Sequence, residues 1–127
     1  MYRLEDSRTL VLEGWDGDQP TEHTRIPIER GLCGQAVREG RTVVVADVSA
    51  APEYLACFLD TRSEIVVPIR AGGKIIGEID VDGTARNAYD ASDARFLEAV
   101  AEKLAPLLAA GGGVPSPPGP PGAPPPS

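Results

Sequence analysis

Two runs of residues decide the fold, SEIVVPIR at 63–70 and KIIGEIDVD at 74–82. Both are rich in β-branched side chains, which favour extended backbone. The Ala-Gly-Gly stretch at 71–73 separates them and is typical of a tight connection between two strands. The sequence therefore predicts a β-hairpin, and we expect this hairpin to form the centre of an antiparallel sheet.

Side-chain alternation along the hairpin predicts one apolar and one acidic face. The acidic face carries Glu64, Asp80 and Asp82. The apolar face collects Ile65, Val67, Ile69, Ile75, Gly77, Ile79 and Val81.

The length of the turn predicts which residues lie opposite each other. If all three residues at 71–73 form the turn, Glu64 lies opposite Asp80. The same register places Arg62 opposite Asp82. Opposed carboxylates destabilise a sheet and raise the pKa of at least one partner. Two interpretations stay open: a solvated sheet face screened by water and Arg62, or a pocket that binds an ammonium group or supplies a proton.

The sequence around the hairpin predicts an α/β (α+β) domain, in which helices flank the antiparallel sheet. Good helix formers predict a helix over 31–39 that Gly40 stops. A second helix is expected from the N-cap Asp90 along an apolar stripe, until Pro106 kinks or ends it. Short strands complete the sheet, at 2–4, 9–13, 24–28 and 42–45.

The C-terminal residues differ in composition from the rest of the chain. Residues 111–127 are almost entirely Gly, Pro, Ser and Ala, so little apolar surface offsets the entropy of ordering them. We expect one domain over 1–110, followed by a disordered tail over 111–127. A polyproline helix over 115–126, bound by an SH3-like partner, is the alternative.

Composition narrows the classes of function. The 127 residues carry a formal charge of −7, which argues against nucleic acid as a partner. No run reaches the roughly 20 apolar residues of a membrane span, and no signal peptide is evident, so we expect a cytoplasmic protein without membrane contact. Two cysteines and the single His23 do not form a zinc motif. We expect neither a metal nor another cofactor.

The two cysteines have alternative roles. Cys57 lies in a loop before the first hairpin strand and is either a nucleophile in the acidic pocket or a small buried residue. Cys33 lies at the start of the predicted helix over 31–39. There the helix dipole lowers the pKa of a thiol, or the side chain simply packs in a tight turn.

Several motifs, in chain order, resemble a GAF domain over about residues 2–108. Within that family the chain is most similar to free methionine-(R)-sulfoxide reductases. The matching stretches are IPIERGLCG at 26–34, LAC at 55–57, RSEIVVP at 62–68 and IGEIDVD at 76–82, with further likeness at 42–48 and 90–97.

The resemblance implies roles for the same residues. Cys57 corresponds to the catalytic cysteine and Glu64 to the acid at the sulfoxide oxygen, while Asp80 and Asp82 correspond to groups that hold the free amino acid. A thioredoxin-type reductant would then regenerate the enzyme, and a homodimer is possible. Cys33 is the remaining internal thiol that resolves the Cys57 sulfenic acid.

Two departures from the reductases leave a second function open. His23 stands where these proteins usually have a resolving cysteine. The chain is also expected to lack the N-terminal helix that completes their pocket. The alternative function is a non-catalytic GAF module of a signalling or regulatory protein, which senses a small ligand.

Overall fold

A computed structural model describes residues 1–6, 8–16, 24–50 and 61–110. It has the α+β architecture that the sequence predicts, with each expected strand and helix present in the described ranges. A 3-10 turn at Val48–Ala50 was not expected. The strands are β1 (Tyr2–Glu5), β2 (Thr9–Leu12), β3 (Arg25–Pro27), β4 (Val43–Val45), β5 (Ser63–Ala71) and β6 (Lys74–Gly83), and the helices are α1 (Gly31–Glu39) and α2 (Ala91–Ala109).

Six strands form one sheet in the order β3-β2-β1-β6-β5-β4, and every neighbouring pair is antiparallel. The β5–β6 hairpin has the longest run of paired residues in this sheet. The two helices cover opposite faces of the sheet, so the hairpin is packed from both sides.

The face of the hairpin beneath α2 is a dry apolar layer. Ile65, Val67 and Ile69 are at most 1% exposed, and they pack against Ala101, Ala105 and Leu108 of the helix. A buried Val or Ile side chain contributes about 1.5–3 kcal/mol relative to an exposed one. This layer therefore fixes α2 on the sheet.

The face beneath α1 also has an apolar part, a second cluster of buried side chains. Leu32, Cys33 and Ala36 of α1 lie in this second cluster. The sheet and the chain before α1 supply the remaining buried members, Tyr2, Leu10, Leu12, Ile26, Val43 and Val66.

The predicted register of the hairpin is wrong. Ala71 pairs with Lys74, so the turn has two residues instead of three. Gly72 and Gly73 have φ of +58° and +79°, the left-handed geometry that a two-residue hairpin turn requires and glycine adopts readily. A β-bulge at Ile69/Arg70 shifts the register once more.

The pairing of the acidic residues changes as a result. Glu64 lies opposite Asp82, not Asp80, while Asp80 lies opposite Val66. Arg62 lies just outside β5, and its backbone N–H donates to the Gly83 carbonyl, so its predicted pairing with Asp82 is also wrong.

The bulge also changes which isoleucine of β6 faces α2. Ile76 packs on the α2 side with Ile79 and Val81, whereas Ile75 approaches Gly40 at the end of α1. The simple alternation that assigned Ile75 to the apolar face fails because the extra residue reverses the phase of the strand.

Helix α2 continues through Pro106 to Ala109. Pro106 is in the last turn and exposed, so the loss of its N–H affects little of the helix. The predicted N-cap is correct: the Asp90 carboxylate accepts from the backbone N–H groups of Ser92 and Asp93.

Three predictions concern residues outside the described ranges, namely those on Cys57, on His23 and on the tail at 111–127. Neither of the two described helices has the length and apolar character of a membrane span.

Candidate functional site

The acidic residues of the hairpin lie on the sheet face covered by α1. Glu64 and Asp80 point away from the α2 layer and meet Cys33 of α1, as the ligand atoms of all three lie within 4.8 Å of one another. Asp82 lies directly across the hairpin from Glu64. The predicted grouping of Glu64, Asp80 and Asp82 on one face is therefore confirmed.

Cys33 reaches this face because of the turn that begins α1. At Gly34, an added Cβ would lie 2.3 Å from the Ile28 carbonyl oxygen, so only glycine allows this close approach. The preceding residue, Cys33, is 5% exposed. Its Sγ donates to Asp80 Oδ2 at 3.2 Å, which joins the helix to the acidic face.

Glu78 is a further member of the site that the sequence analysis did not select. It is 0% exposed and lies close enough to Cys33 and to the N-terminal ammonium of Met1 for both groups to act on its carboxyl. A usable signal was present, since Glu78 shares the alternation of Asp80 and Asp82 along β6. We call Cys33, Glu64, Glu78 and Asp80 the acidic cluster.

Burial sets the protonation of the acidic cluster. Removal from water raises the pKa of Cys33 well above its usual value, and the charges of Asp80, Glu78 and Glu64 raise it further. Burial and then the charge of Asp80 raise the pKa of the Glu78 carboxyl well above its usual value. Cys33 therefore remains a thiol at neutral pH, contrary to the lowered pKa considered from the helix dipole.

The field of the acidic face extends to the start of α2. Tyr89 has its pKa raised by partial burial and then by the charges of Asp82, Asp80 and Glu64. Each of these shifts has the sign expected next to excess negative charge in a medium of low polarity. The face is thus suited to hold a positively charged group.

The predicted site residues divide into two sets. Cys33, Glu64 and Asp80 are brought into contact, and Asp82 adjoins them through its pairing with Glu64. Cys57 lies outside the described ranges. The structure is thus an α+β domain in which a six-stranded antiparallel sheet lies between two helices and carries an acidic cluster on one face.

Comparison with known proteins identifies the family. The family model described as GAF domain matches residues 1–109, and the chain belongs to this family.

Several relatives are reductases. A solved type II free methionine-R-sulfoxide reductase from Thermoplasma acidophilum is 42% identical, with a TM-score of 0.82 over 86% of this chain and 76% of that chain. The free methionine-R-sulfoxide reductase from Neisseria meningitidis, solved in complex with its substrate, is also 42% identical. Its TM-score is 0.78 over 86% of this chain and 65% of that chain.

A curated relative, Protein YtsP from Bacillus subtilis, is 44% identical over 108 residues, which are 85% of this chain and 65% of that protein. The chain spans less than two thirds of the length of the curated relatives that it matches.

Proposed function

We propose that this GAF domain reduces free methionine-(R)-sulfoxide, with Cys57 as the nucleophile. The observation that carries the proposal is that the buried Glu64 lies beside the half-buried Asp80 on the α1 face, in a chain 42% identical to two solved reductases of this substrate class. Both the acidic site and the sequence identity are needed, because an acidic pocket alone fits many cationic ligands.

The acidic face accounts for the choice of a free amino acid. A free amino acid carries an α-ammonium group, which a methionine residue inside a peptide lacks. Asp80 and Asp82 are proposed to bind this ammonium group through charge-assisted hydrogen bonds. Burial strengthens such a contact because the surrounding medium screens it less than water does.

Glu64 is proposed to act at the other end of the substrate as the proton donor. It is 4% exposed and lies beside Asp80 and Cys33, so it is shielded from water at the bottom of the site. A carboxylic acid in this position donates a hydrogen bond to the sulfoxide oxygen and then its proton, which makes the oxygen a better leaving group.

In the proposed reaction, the Cys57 thiolate attacks the sulfoxide sulfur while Glu64 protonates the oxygen. The sulfoxide S–O bond and the new bond between the two sulfurs then break as the oxygen passes to the Cys57 sulfur, and methionine leaves with two electrons that come from Cys57. Cys57 is left as a sulfenic acid. A dithiol reductant then returns Cys57 to the thiol and releases the oxygen as water.

Regeneration is proposed to use a thioredoxin-type reductant, in keeping with a cytoplasmic protein. The internal route through Cys33 stays a prediction, since Cys57 lies outside the described ranges. The raised pKa of Cys33 opposes that route, because disulfide formation needs a thiolate. We therefore propose that the external reductant acts on Cys57 directly.

A homodimer is proposed through the exposed side of α2. Phe96 and Leu107 of this helix are 68% and 48% exposed, and large exposed apolar side chains are common in protein contacts. Light scattering of the full chain at several concentrations tests this, and a constant monomer mass would contradict it.

A single-turnover experiment tests the function. The full chain, in excess over free methionine-(R)-sulfoxide and without reductant, is expected to release methionine. Cys57→Ser is expected to release none, because a hydroxyl is a far poorer nucleophile than a thiolate at neutral pH. Cys33→Ser is the matched control and is expected to complete the first turnover.

The same experiment distinguishes the two functions. If the wild-type protein releases no methionine, the catalytic proposal fails. Binding of the sulfoxide by calorimetry without any methionine would then indicate the ligand-sensing function. Steady turnover of Cys33→Ser with a thioredoxin system would show that regeneration does not require this thiol.

A further inference from the structure

Asp47 lies at a junction of three chain segments, outside the acidic cluster. Its Oδ1 accepts from the backbone N–H of Ser49 at 3.0 Å and from the Ser49 hydroxyl at 2.7 Å. Its Oδ2 forms an ion pair with Arg86 Nε at 3.1 Å. The Ser49 hydroxyl and then its N–H lower the pKa of the Asp47 carboxyl, so this group is charged at neutral pH. Asp47 thus joins the exit of β4 and the 3-10 turn to the loop between β6 and α2.

The same junction holds both ends of residues 51–60, the segment that contains the proposed nucleophile. The Ala50 N–H donates to the Asp47 carbonyl at 3.1 Å, which closes the turn before the segment. The Val48 N–H donates to the Arg62 carbonyl at 2.9 Å. The chain therefore enters and leaves residues 51–60 at neighbouring places on the domain.

The loop after β6 connects this junction to the acidic face. Asp82, proposed above to bind the ammonium group, is the residue before last of β6, and Arg86 follows it by four positions. Beside the Asp47–Arg86 ion pair, the Asn87 N–H donates to the Ala46 carbonyl at 2.9 Å. The contacts of Asp47 therefore fix the entry to the nucleophile segment relative to a strand that binds the substrate.

We propose that Asp47 is a positioning residue of the sulfoxide reduction, which holds the entry to residues 51–60 so that the Cys57 thiolate meets the sulfoxide sulfur. Because Cys57 acts only in the proposed reduction, this role rests on the proposed function. Asp47 acts through the chain and touches no substrate. A reacting group displaced by about 1 Å can lose about a hundredfold in rate, so a distant carboxylate that sets this position affects the chemical step.

A purely structural role for Asp47 predicts a different result. The side chains of Asp47 and Arg86 are 36% and 61% exposed, and exposed ion pairs contribute little to the free energy of unfolding. Replacement of Asp47 is therefore expected to lower the rate of reaction far more than it lowers the stability of the domain.

Rates of methionine release test this role. In the single-turnover experiment, with the full chain in saturating excess, Asp47→Ala is expected to release methionine about ten to a hundred times more slowly than the wild-type protein. Affinity for the sulfoxide, measured by calorimetry in the inactive Cys57→Ser background, is expected to be unchanged by Asp47→Ala. An unchanged rate would overturn the proposal. A loss of affinity as large as the loss of rate would also overturn it, because Asp47 would then act on substrate binding.

Glu39→Ala is the matched control. Glu39 also forms an exposed ion pair, with Arg41, and its side chain is 37% exposed, but it precedes β4 instead of following it. Its rate of methionine release is expected to equal that of the wild-type protein. Asp47→Asn keeps an acceptor for Ser49 and loses the charge that pairs with Arg86, so its rate is expected to lie between those of wild type and Asp47→Ala. Equal losses for the alanine variants of both carboxylates would refute a specific role at the junction.

Proteolysis separates this role from the proposed function. Chymotrypsin cleaves after large apolar residues, and Tyr54 and Phe58 lie within residues 51–60. Cleavage there is expected to be faster in Asp47→Ala than in the wild-type protein and in Glu39→Ala, because the entry to the segment is no longer held. If the wild-type protein releases no methionine, the proposed function fails and the cleavage rates alone test the hold of Asp47 on the segment. Equal cleavage rates in the three proteins would overturn the inference, whatever the rates of methionine release.

Discussion

The two faces of the β5–β6 hairpin are built from the same two strands and have opposite chemistry. Beneath α2, Ile65, Val67 and Ile69 are buried against apolar helix residues. Beneath α1, Glu64 and Glu78 are buried and Asp80 is half-buried, beside the thiol of Cys33. The difference indicates a division of tasks: one face stabilises the domain, and the other buries carboxyl groups at a cost in stability.

The largest effect is expected from a substitution that creates a cavity on the apolar face. Ile65→Ala is expected to lower the free energy of unfolding by about 2–5 kcal/mol, because Ile65 is completely buried and the lost methyl groups leave a void. Urea denaturation measures the change. A loss below about 1 kcal/mol would contradict the assignment of stability to this face.

The second test concerns the acidic face, where a substitution is expected to raise the free energy of unfolding instead of lowering it. The pKa of Glu78 is raised above its usual value of 4.5, so the folded state keeps a proton that the unfolded state releases. Stability from this group is full below pH 4.5 and falls as pH rises through the folded-state pKa. Glu78→Gln cannot ionise, so the variant is expected to gain stability over the wild-type protein as pH rises.

The measurement for Glu78→Gln is the free energy of unfolding at about pH 5 and about pH 8. The gain is expected to be larger at the higher pH. Glu102→Gln, an exposed residue of α2, serves as the control and is expected to follow the wild-type protein at both pH values. A gain that does not change with pH would show that Glu78 titrates normally.

The smallest expected effect is in the turn that joins the two strands. Gly72 has φ of +58°, and an added Cβ would meet nothing within 4 Å. Gly72→Ala is therefore expected to cost only the backbone strain of left-handed geometry, about 1 kcal/mol. Gly72→Asn is the matched comparison and is expected to cost less, because asparagine tolerates this conformation in hairpin turns.

Thermal unfolding of the two turn variants checks this expectation. Equal losses for alanine and asparagine would mean that the side chain at position 72 disturbs something other than the backbone angle. A loss of several kcal/mol for alanine would mean that the turn also controls the separation of the two faces.

Hydrophobic patterning was sufficient to predict the elements of the fold. The strands β5 and β6, the N-cap Asp90 and the face shared by Glu64, Asp80 and Asp82 follow from alternation and capping, which are local properties. The register did not follow, because nothing in the pattern of Ile75 and Ile76 marks a bulge. A bulge depends on how both strands pack against their helices.

The candidate site was predicted in part. The contact between Cys33 and Asp80 joins residues 47 positions apart, so it depends on the packing of α1 over the sheet rather than on any local motif. Alternation along β6 places Glu78 on the same face as Asp80, but the family resemblance assigned no role to Glu78. Its importance comes from its complete burial next to Cys33, which only the packed structure reveals.

The bulge at Ile69/Arg70 has a consequence for insertions and deletions. Counted from the Ala71–Lys74 pair, a hairpin of this sequence without a bulge would place Glu64 opposite Val81 and mix acidic with apolar side chains. The bulge instead absorbs Ile76 as one supernumerary residue, so that Ile69 pairs with Gly77. A deletion of Ile76 would remove the bulge and leave Glu64 opposite Asp82, whereas a single insertion farther along β6 would exchange the two faces. This hairpin can therefore lose one residue near its turn without losing its site.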